Sequence, residues 1–175
     1  MKNVAWLGIY PALLTPFTAN DEIDYSLFQI NLDAQLAAGV DGIIIGGSLG
    51  EASTLTSEEK CEFLAYCVKA VNGKIPVIIN VAEQSTKVAV AMAQEAEKIG
   101  ADGLMLLPPL KYKADDEEVV TYFQAVASST KLPILIYNNP VDYGIKVSIA
   151  MFEQLVPYAN IQAVKESTRD LPNIT

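Results

Sequence analysis

Three groups of residues in this 175-residue chain have the types and spacing to do chemistry on a carbonyl group. The first is Lys165, at the end of the apolar run Ile161-Gln162-Ala163-Val164-Lys165. Of the eleven lysines only this one ends such a run; Lys74 and Lys131 stand where runs begin, and the rest fall in loops, near the N-terminus or in helix-like stretches. Strand alternation puts Ile161, Ala163 and Lys165 on one face. Where that face points into a core, desolvation lowers the ammonium pKa, and the free amine can attack a ketone to form a Schiff base. An ion pair with Glu166 or Asp170 is the other reading of the same position. The second group is Tyr137, which ends the preceding apolar run two residues after Leu135, on the same face. From an adjacent strand its phenol would stand near Lys165 and could relay protons; a purely structural rim tyrosine fits equally. The third is the turn Gly46-Gly47-Ser48-Leu49-Gly50-Glu51, whose successive amides could cradle a carboxylate, with the Ser48 hydroxyl as a further donor or relay. The only arginine is Arg169, so a bidentate carboxylate clamp must use it or give way to backbone groups.

The elements that must position these residues are legible as alternating signals. Apolar runs occupy residues 8–14, 42–46, 77–81, 103–107, 134–137 and 161–165, and several are nearly unbroken by polar residues. Runs of that kind are strands covered on both faces, as in a parallel sheet. Helix-like segments lie between them at about residues 24–38, 57–71, 85–98, 115–128 and 148–158. The second opens with the capping box Thr56-Ser57-Glu58-Glu59, and the fifth with Ser148 as N-cap. An internal repeat spans two such units. Ala38-Gly39-Val40-Asp41-Gly42 answers to Ile99-Gly100-Ala101-Asp102-Gly103, and Lys74-Ile75-Pro76 to Lys131-Leu132-Pro133. Each glycine is expected to end a helix and each Asp-Gly to turn the chain into a strand. A two-unit period suits a (β/α)8 barrel, whose alternate strands fill alternate core layers. A doubly wound open sheet is the competing fold, although its GxGxxG fingerprint is replaced after the first run by Leu14-Thr15-Pro16-Phe17.

Composition narrows the function classes. Half the residues are apolar and the formal net charge is -9, which fits a compact α/β enzyme and argues against nucleic acid or an anionic membrane as partner. The absence of histidine removes histidine bases and histidine-bound metals. Cys61 and Cys67 have the wrong spacing for a CxxC motif and read as reduced thiols packed as small apolar residues, which suits the cytoplasm. No signal peptide or membrane-spanning run is legible. Neither is a P-loop, which weakens a nucleotide-binding reading.

Taken together, the three groups resemble motifs of the dihydrodipicolinate synthase / N-acetylneuraminate lyase family of class I aldolases. Gly47-Ser48-Leu49-Gly50-Glu51 resembles its substrate-carboxylate loop, Tyr137-Asn138-Asn139-Pro140 with Gly144 its Tyr-Asn-x-Pro strand end, and Val164-Lys165-Glu166-Ser167 its Schiff-base segment. Order and spacing match over essentially the whole chain. The resemblance implies a TIM barrel of which this chain carries about the first six strand-helix units, as a single domain over residues 1–175 that is incomplete at its C-terminal side. It implies Lys165 as the imine-forming residue, Tyr137 as acid/base and Ser48 as its relay partner, with Gly47 and the amides near Ser48 and Leu49 holding the substrate carboxylate. A small-molecule 2-oxo acid such as pyruvate is then the substrate. No metal or organic cofactor is called for, because the imine on Lys165 is itself the electron sink. A homotetramer or homodimer is expected.

Three departures from the family pattern bear on specificity. Leu49 replaces a hydroxyl residue of the loop. Lys111 stands where many members place a tyrosine lent to a neighbouring subunit, with Tyr112 adjacent as a substitute. Asp142 stands where dihydrodipicolinate synthases carry an arginine for the incoming aldehyde's carboxylate; it would repel that group and could accept hydrogen bonds from substrate hydroxyls. The expectation is therefore an aldolase or dehydratase acting on a 2-oxo-3-deoxy sugar acid or a related 2-oxo acid. The alternatives are a true dihydrodipicolinate synthase, or a non-catalytic barrel fragment that binds a 2-oxo acid or a partner chain. A barrel lacking two units leaves strand edges unpaired, so the sequence reads as part of a longer enzyme.

Overall fold

A computed structural model describes residues 4–109 and 113–169. Five strands, β1 (Ile43–Ile45), β2 (Val77–Val81), β3 (Gly103–Leu106), β4 (Ile134–Asn138) and β5 (Ile161–Glu166), form one sheet in the order β1-β2-β3-β4-β5. Every neighbouring pair is parallel. A strictly sequential parallel order has no point at which the winding reverses, so the doubly wound alternative falls and the sheet is an arc of a barrel wall. The helices are α1 (Tyr25–Ala37), α2 (Ser57–Val71), α3 (Thr86–Ile99), α4 (Asp116–Ser129), α5 (Pro140–Tyr143) and α6 (Ile149–Leu155).

The unbroken apolar runs have a two-sided explanation. Ile43, Ile45, Ile79, Leu104 and Ile136 face the helices in one large core, together with Phe28 and Phe63. The alternate residues Ile44, Ile78, Met105 and Leu107 form a second, inner cluster with Leu135, Tyr137 and Tyr143 packed against it. Fully burying each aliphatic side chain contributes roughly 1.5–3 kcal/mol, which is why both faces must be apolar for the wall to hold.

The internal repeat is a hydrogen-bonding device. Asp41 and Asp102 each tie the start of their own strand to the segment that runs beside it. Ile9 N donates to Asp41 Oδ2 at 2.7 Å, and Val77 N donates to Asp102 Oδ2 at 2.9 Å. The Pro76 and Pro133 carbonyls each accept from the preceding strand, from Ile43 N at 3.0 Å and Leu104 N at 2.8 Å. Gly39 and Gly100 lie in the left-handed region after α1 and α3, as helix-ending glycines should. The capping box of Thr56 and Glu59 forms, and Ser148 caps α6.

Four expectations are corrected. The run 8–14 is no regular strand: only Ala12 bridges Ile44, with Ile44 N donating to Pro11 O and Leu13 N to Ile44 O. Pro11 offers no N–H and Gly8 has φ 89°, so a longer ladder cannot form. Hence five strands stand in the sheet instead of six. The last predicted helix ends at Leu155, short of residue 158. A one-turn helix, α5, follows Tyr137-Asn138-Asn139, where none was expected. Finally, Ile161 does not share a face with Ala163 and Lys165. Ile134 pairs with Ile161 while the next residue, Leu135, pairs with Ala163, so the β5 strand carries one extra residue. This bulge leaves Ile161 in the helix-side core and turns Ala163 and Lys165 inward.

Candidate active site

The site is built where β1, β4 and β5 end. Tyr137 and Lys165 are register partners on adjacent parallel strands, so their side chains share the inner face. Lys165 Nζ lies 4.1 Å from the centre of the Tyr137 ring, well within the range of a cation–π contact. Both residues are half-buried. Lys165 also lines a cavity of about 380 Å³ on the inner face, with Tyr10, Ala12, Ile44, Leu135 and Ala163 among its walls. The pairing of Lys165 with Glu166 is not formed. Glu166 accepts from Asn138 Nδ2 at 2.8 Å and from Thr168 N at 3.0 Å, and alternation along β5 turns it away from Lys165. Among the described residues no carboxylate pairs with Lys165; Asp170 lies outside them.

The glycine turn follows β1 and is pinned to the N-terminal segment. Thr15 Oγ1 donates to Gly50 O at 2.7 Å, and a Cβ on Gly50 would stand 2.8 Å from Leu13 O. Only glycine permits that approach. The turn bonds run from Glu51 N to Ser48 O and from Ala52 N to Gly47 O, each 3.2 Å. They engage the carbonyls of Gly47 and Ser48, and the Ser48 and Leu49 amides stand outside them. Gly47 is buried, Ser48 is exposed and Leu49 is 78% exposed. An apolar side chain so placed offers the turn no hydrogen bond.

The expected partnership of Ser48 with Tyr137 is replaced by another. Ser48 Oγ hydrogen-bonds to the Tyr143 hydroxyl, while the Tyr137 hydroxyl accepts from Asn139 Nδ2 at 3.0 Å. Tyr143 reaches Ser48 because α5 folds the chain back. Asn139 caps that turn, its Oδ1 accepting from Asp142 N at 3.3 Å; Pro140 fills the first helical position and Gly144 ends it at φ 71°. The Tyr143 ring then stands edge-on to Tyr137, with centroids 5.6 Å apart and planes at 81°. Burial pushes the Tyr143 phenol up; its bond to Ser48 opposes this, and Tyr137 and Asp142 add to the rise. Asp142 is exposed and its Oδ2 accepts from Asn139 Nδ2 at 2.6 Å. Lys111 and Tyr112 lie outside the described residues. Tyr143 and Asn139 were not singled out in the sequence, yet Asn-Pro followed by glycine four residues later is a start-and-stop signature for one helical turn. Among the described residues no group of three or more acidic or thiol side chains is gathered to hold a metal ion.

The sequence profile of the Dihydrodipicolinate synthetase family matches residues 5–175. The chain belongs to that family. Among its relatives, the 4-hydroxy-tetrahydrodipicolinate synthase of Oceanobacillus iheyensis is 33% identical over 167 residues, covering 95% of this chain and 57% of that protein. The corresponding synthase of Exiguobacterium sibiricum is 37% identical over 164 residues, covering 94% and 56%. Two solved structures show the same likeness in three dimensions. YagE, a prophage protein of the dihydrodipicolinic acid synthase family from E. coli K12 in complex with pyruvate, superposes with a TM-score of 0.93 at 28% identity, covering 98% of this chain and 58% of that one. CdNal from Clostridium difficile, in complex with mannosamine, gives 0.91 at 30% identity, covering 98% and 59%. This family member thus spans a little over half the length of its relatives, and its five parallel strands are the corresponding part of their barrel.

Proposed function

We propose that the protein to which this chain belongs is a Schiff-base lyase, an aldolase or dehydratase acting on a 2-oxo-3-deoxy sugar acid or a related 2-oxo acid such as pyruvate. The observation that carries the reading is the register pairing of Tyr137 with Lys165, which puts an aromatic phenol beside an amine that lines an inner cavity.

In this reading the Lys165 amine attacks the ketone carbon; a C–N bond forms, the former carbonyl oxygen leaves as water, and a cationic imine remains. The imine accepts the electron pair released when the C3–C4 bond breaks, giving an enamine and a free aldehyde. Protonation at C3 and hydrolysis then return the amine. Where a C3 proton is removed instead and the C4 hydroxyl departs as water, the outcome is dehydration. Tyr137 is the proton donor and acceptor at C3 and C4, and the Gly47–Leu49 turn holds the substrate carboxylate. The imine is the electron sink, so the reading involves no metal or organic cofactor. The active form is a cytoplasmic homo-oligomer, a dimer or tetramer.

The substrate class rests on Asp142. Its exposed carboxylate sits on α5 beside the site and suits a hydroxyl-bearing substrate better than an anionic aldehyde. A true 4-hydroxy-tetrahydrodipicolinate synthase is the second reading, favoured by the names of the relatives. Borohydride trapping with pyruvate, followed by peptide mass mapping, tests the nucleophile: a reduced adduct on Lys165 alone is expected, and its absence counts against imine chemistry. Turnover of aspartate semialdehyde with pyruvate, without turnover of sugar acids, would replace the first reading by the second.

A further inference from the structure

Ser48 and Tyr143 belong to segments 95 residues apart, and their hydroxyls meet. Two features make this more than a chance surface contact. The Tyr143 ring packs edge-on against Tyr137, whose own ring bears the Lys165 ammonium. The α5 turn that delivers Tyr143 is fixed at both ends, by the Asn139 cap and by Gly144 N donating to Pro140 O at 3.0 Å. Asn139 also donates to the Tyr137 hydroxyl, so one side chain sets the positions of both tyrosines. The fold brings the Tyr143 phenol to Ser48 from the same chain.

We infer that Tyr143 is a positioning residue that holds and reprotonates Ser48, so that the hydroxyl relay serving Lys165 is completed within one chain. The inference rests on the lyase reading above. In the step it serves, the C2–O bond of the carbinolamine on Lys165 breaks and the oxygen leaves as water, taking a proton from Ser48 Oγ. Ser48 recovers that proton from the Tyr143 hydroxyl, and Tyr143 recovers it from solvent at the exposed rim. The reverse sequence serves imine hydrolysis. Burial keeps the Tyr143 phenol protonated beyond its ordinary range, which extends the pH interval over which it can donate.

The test compares wild type, Tyr143→Phe, Ser48→Ala and the double variant in the full-length protein to which this chain belongs. Pyruvate is the probe. The readouts are borohydride-trapped adduct at equilibrium, the rate of adduct formation, and the pH profile of that rate. Tyr143→Phe should leave the equilibrium yield of adduct within about twofold of wild type while slowing its formation by roughly 100-fold, the size of effect a positioned proton donor supplies. The alkaline fall of the wild-type profile should disappear with the phenol. Ser48→Ala, which removes the partner oxygen without touching the aromatic packing, should slow formation as much, and the double variant no further. A Tyr143→Phe rate within threefold of wild type, or losses that multiply in the double variant, overturns the relay while leaving the lyase reading intact. If Tyr143→Phe does not fold, an unchanged rate and pH profile in Ser48→Ala overturns it. No adduct in the wild type overturns the lyase reading and the relay together.

Discussion

Tyr137 and Lys165 are paired across β4 and β5, and the Lys165 ammonium stands 4.1 Å from the Tyr137 ring centre. Strand register therefore fixes the distance between an amine and a phenol that are 28 residues apart in sequence. The contact is half-exposed, so its worth to folding is small, and Lys165→Ala should change stability by no more than about 1 kcal/mol. The same substitution should abolish the borohydride-trapped adduct. Urea denaturation and peptide mass mapping on one preparation check both halves, and loss of the adduct with loss of fold would leave no separate chemical role for the lysine.

The bulge in β5 makes a prediction opposite to the usual effect of a deletion. Ile161 pairs with Ile134 and Ala163 with Leu135, so Gln162 is the extra residue. Removing Gln162 should regularise the strand and keep Lys165 facing inward, at the cost of the Trp6 Nε1 to Gln162 Oε1 bond of 3.2 Å, about 1 kcal/mol. Inserting an alanine between Val164 and Lys165 instead moves Lys165 to the helix side. Adduct should survive the deletion and vanish with the insertion.

Lys60 and Glu83 form a buried ion pair at 2.7 Å, with side chains 8% and 12% exposed. Breaking it from one side leaves a carboxylate without its counter-charge, so Lys60→Met should cost about 3–5 kcal/mol. Adding Glu83→Leu should restore most of that loss, because two apolar groups carry no desolvation penalty. Chemical denaturation of the two single variants and the double variant measures the coupling, and additive losses would show that the pair does not act as a unit.

Stability should fall at alkaline pH for a defined reason. Burial pushes the Cys67 thiol well above its ordinary value of 9.0, and pushes the Tyr122 phenol up from 10.0. Above pH 9 the unfolded chain releases protons that the folded chain retains, so unfolding is increasingly favoured as pH rises. Denaturation midpoints should be flat near neutrality with respect to these groups and decline above pH 9. Cys67→Ala should flatten the part of the slope that begins at 9, whatever it does to the midpoint at pH 7.

Much of the molecule was already determined by the sequence, because the signals involved are local. The apolar runs that became β1 to β4 had to be covered on both faces, the bounds of α2 followed from Thr56 and Glu59, and those of α4 from its own periodicity. Glycines 39 and 100 marked helix ends through their left-handed backbone, and the two-unit repeat announced a barrel through residues whose hydrogen bonds join neighbouring segments of the wall. The ends of the runs singled out Lys165 and Tyr137 before any pairing was known. Only the tertiary structure decided which side chains face one another. A single bulged residue moves Ile161 to the opposite face from Ala163 and Lys165, and alternation counted along one strand has no access to a register set by its neighbour. Pro11 and Gly8 reduce a convincing apolar run to one bridge, since its ladder depends on donors that β1 must find. The partner of Ser48 depends on a one-turn helix that carries Tyr143 across from residue 143 to residue 48. Hydrogen bonds between distant segments are selected by where the backbone brings the groups, and sequence spacing holds no measure of that distance.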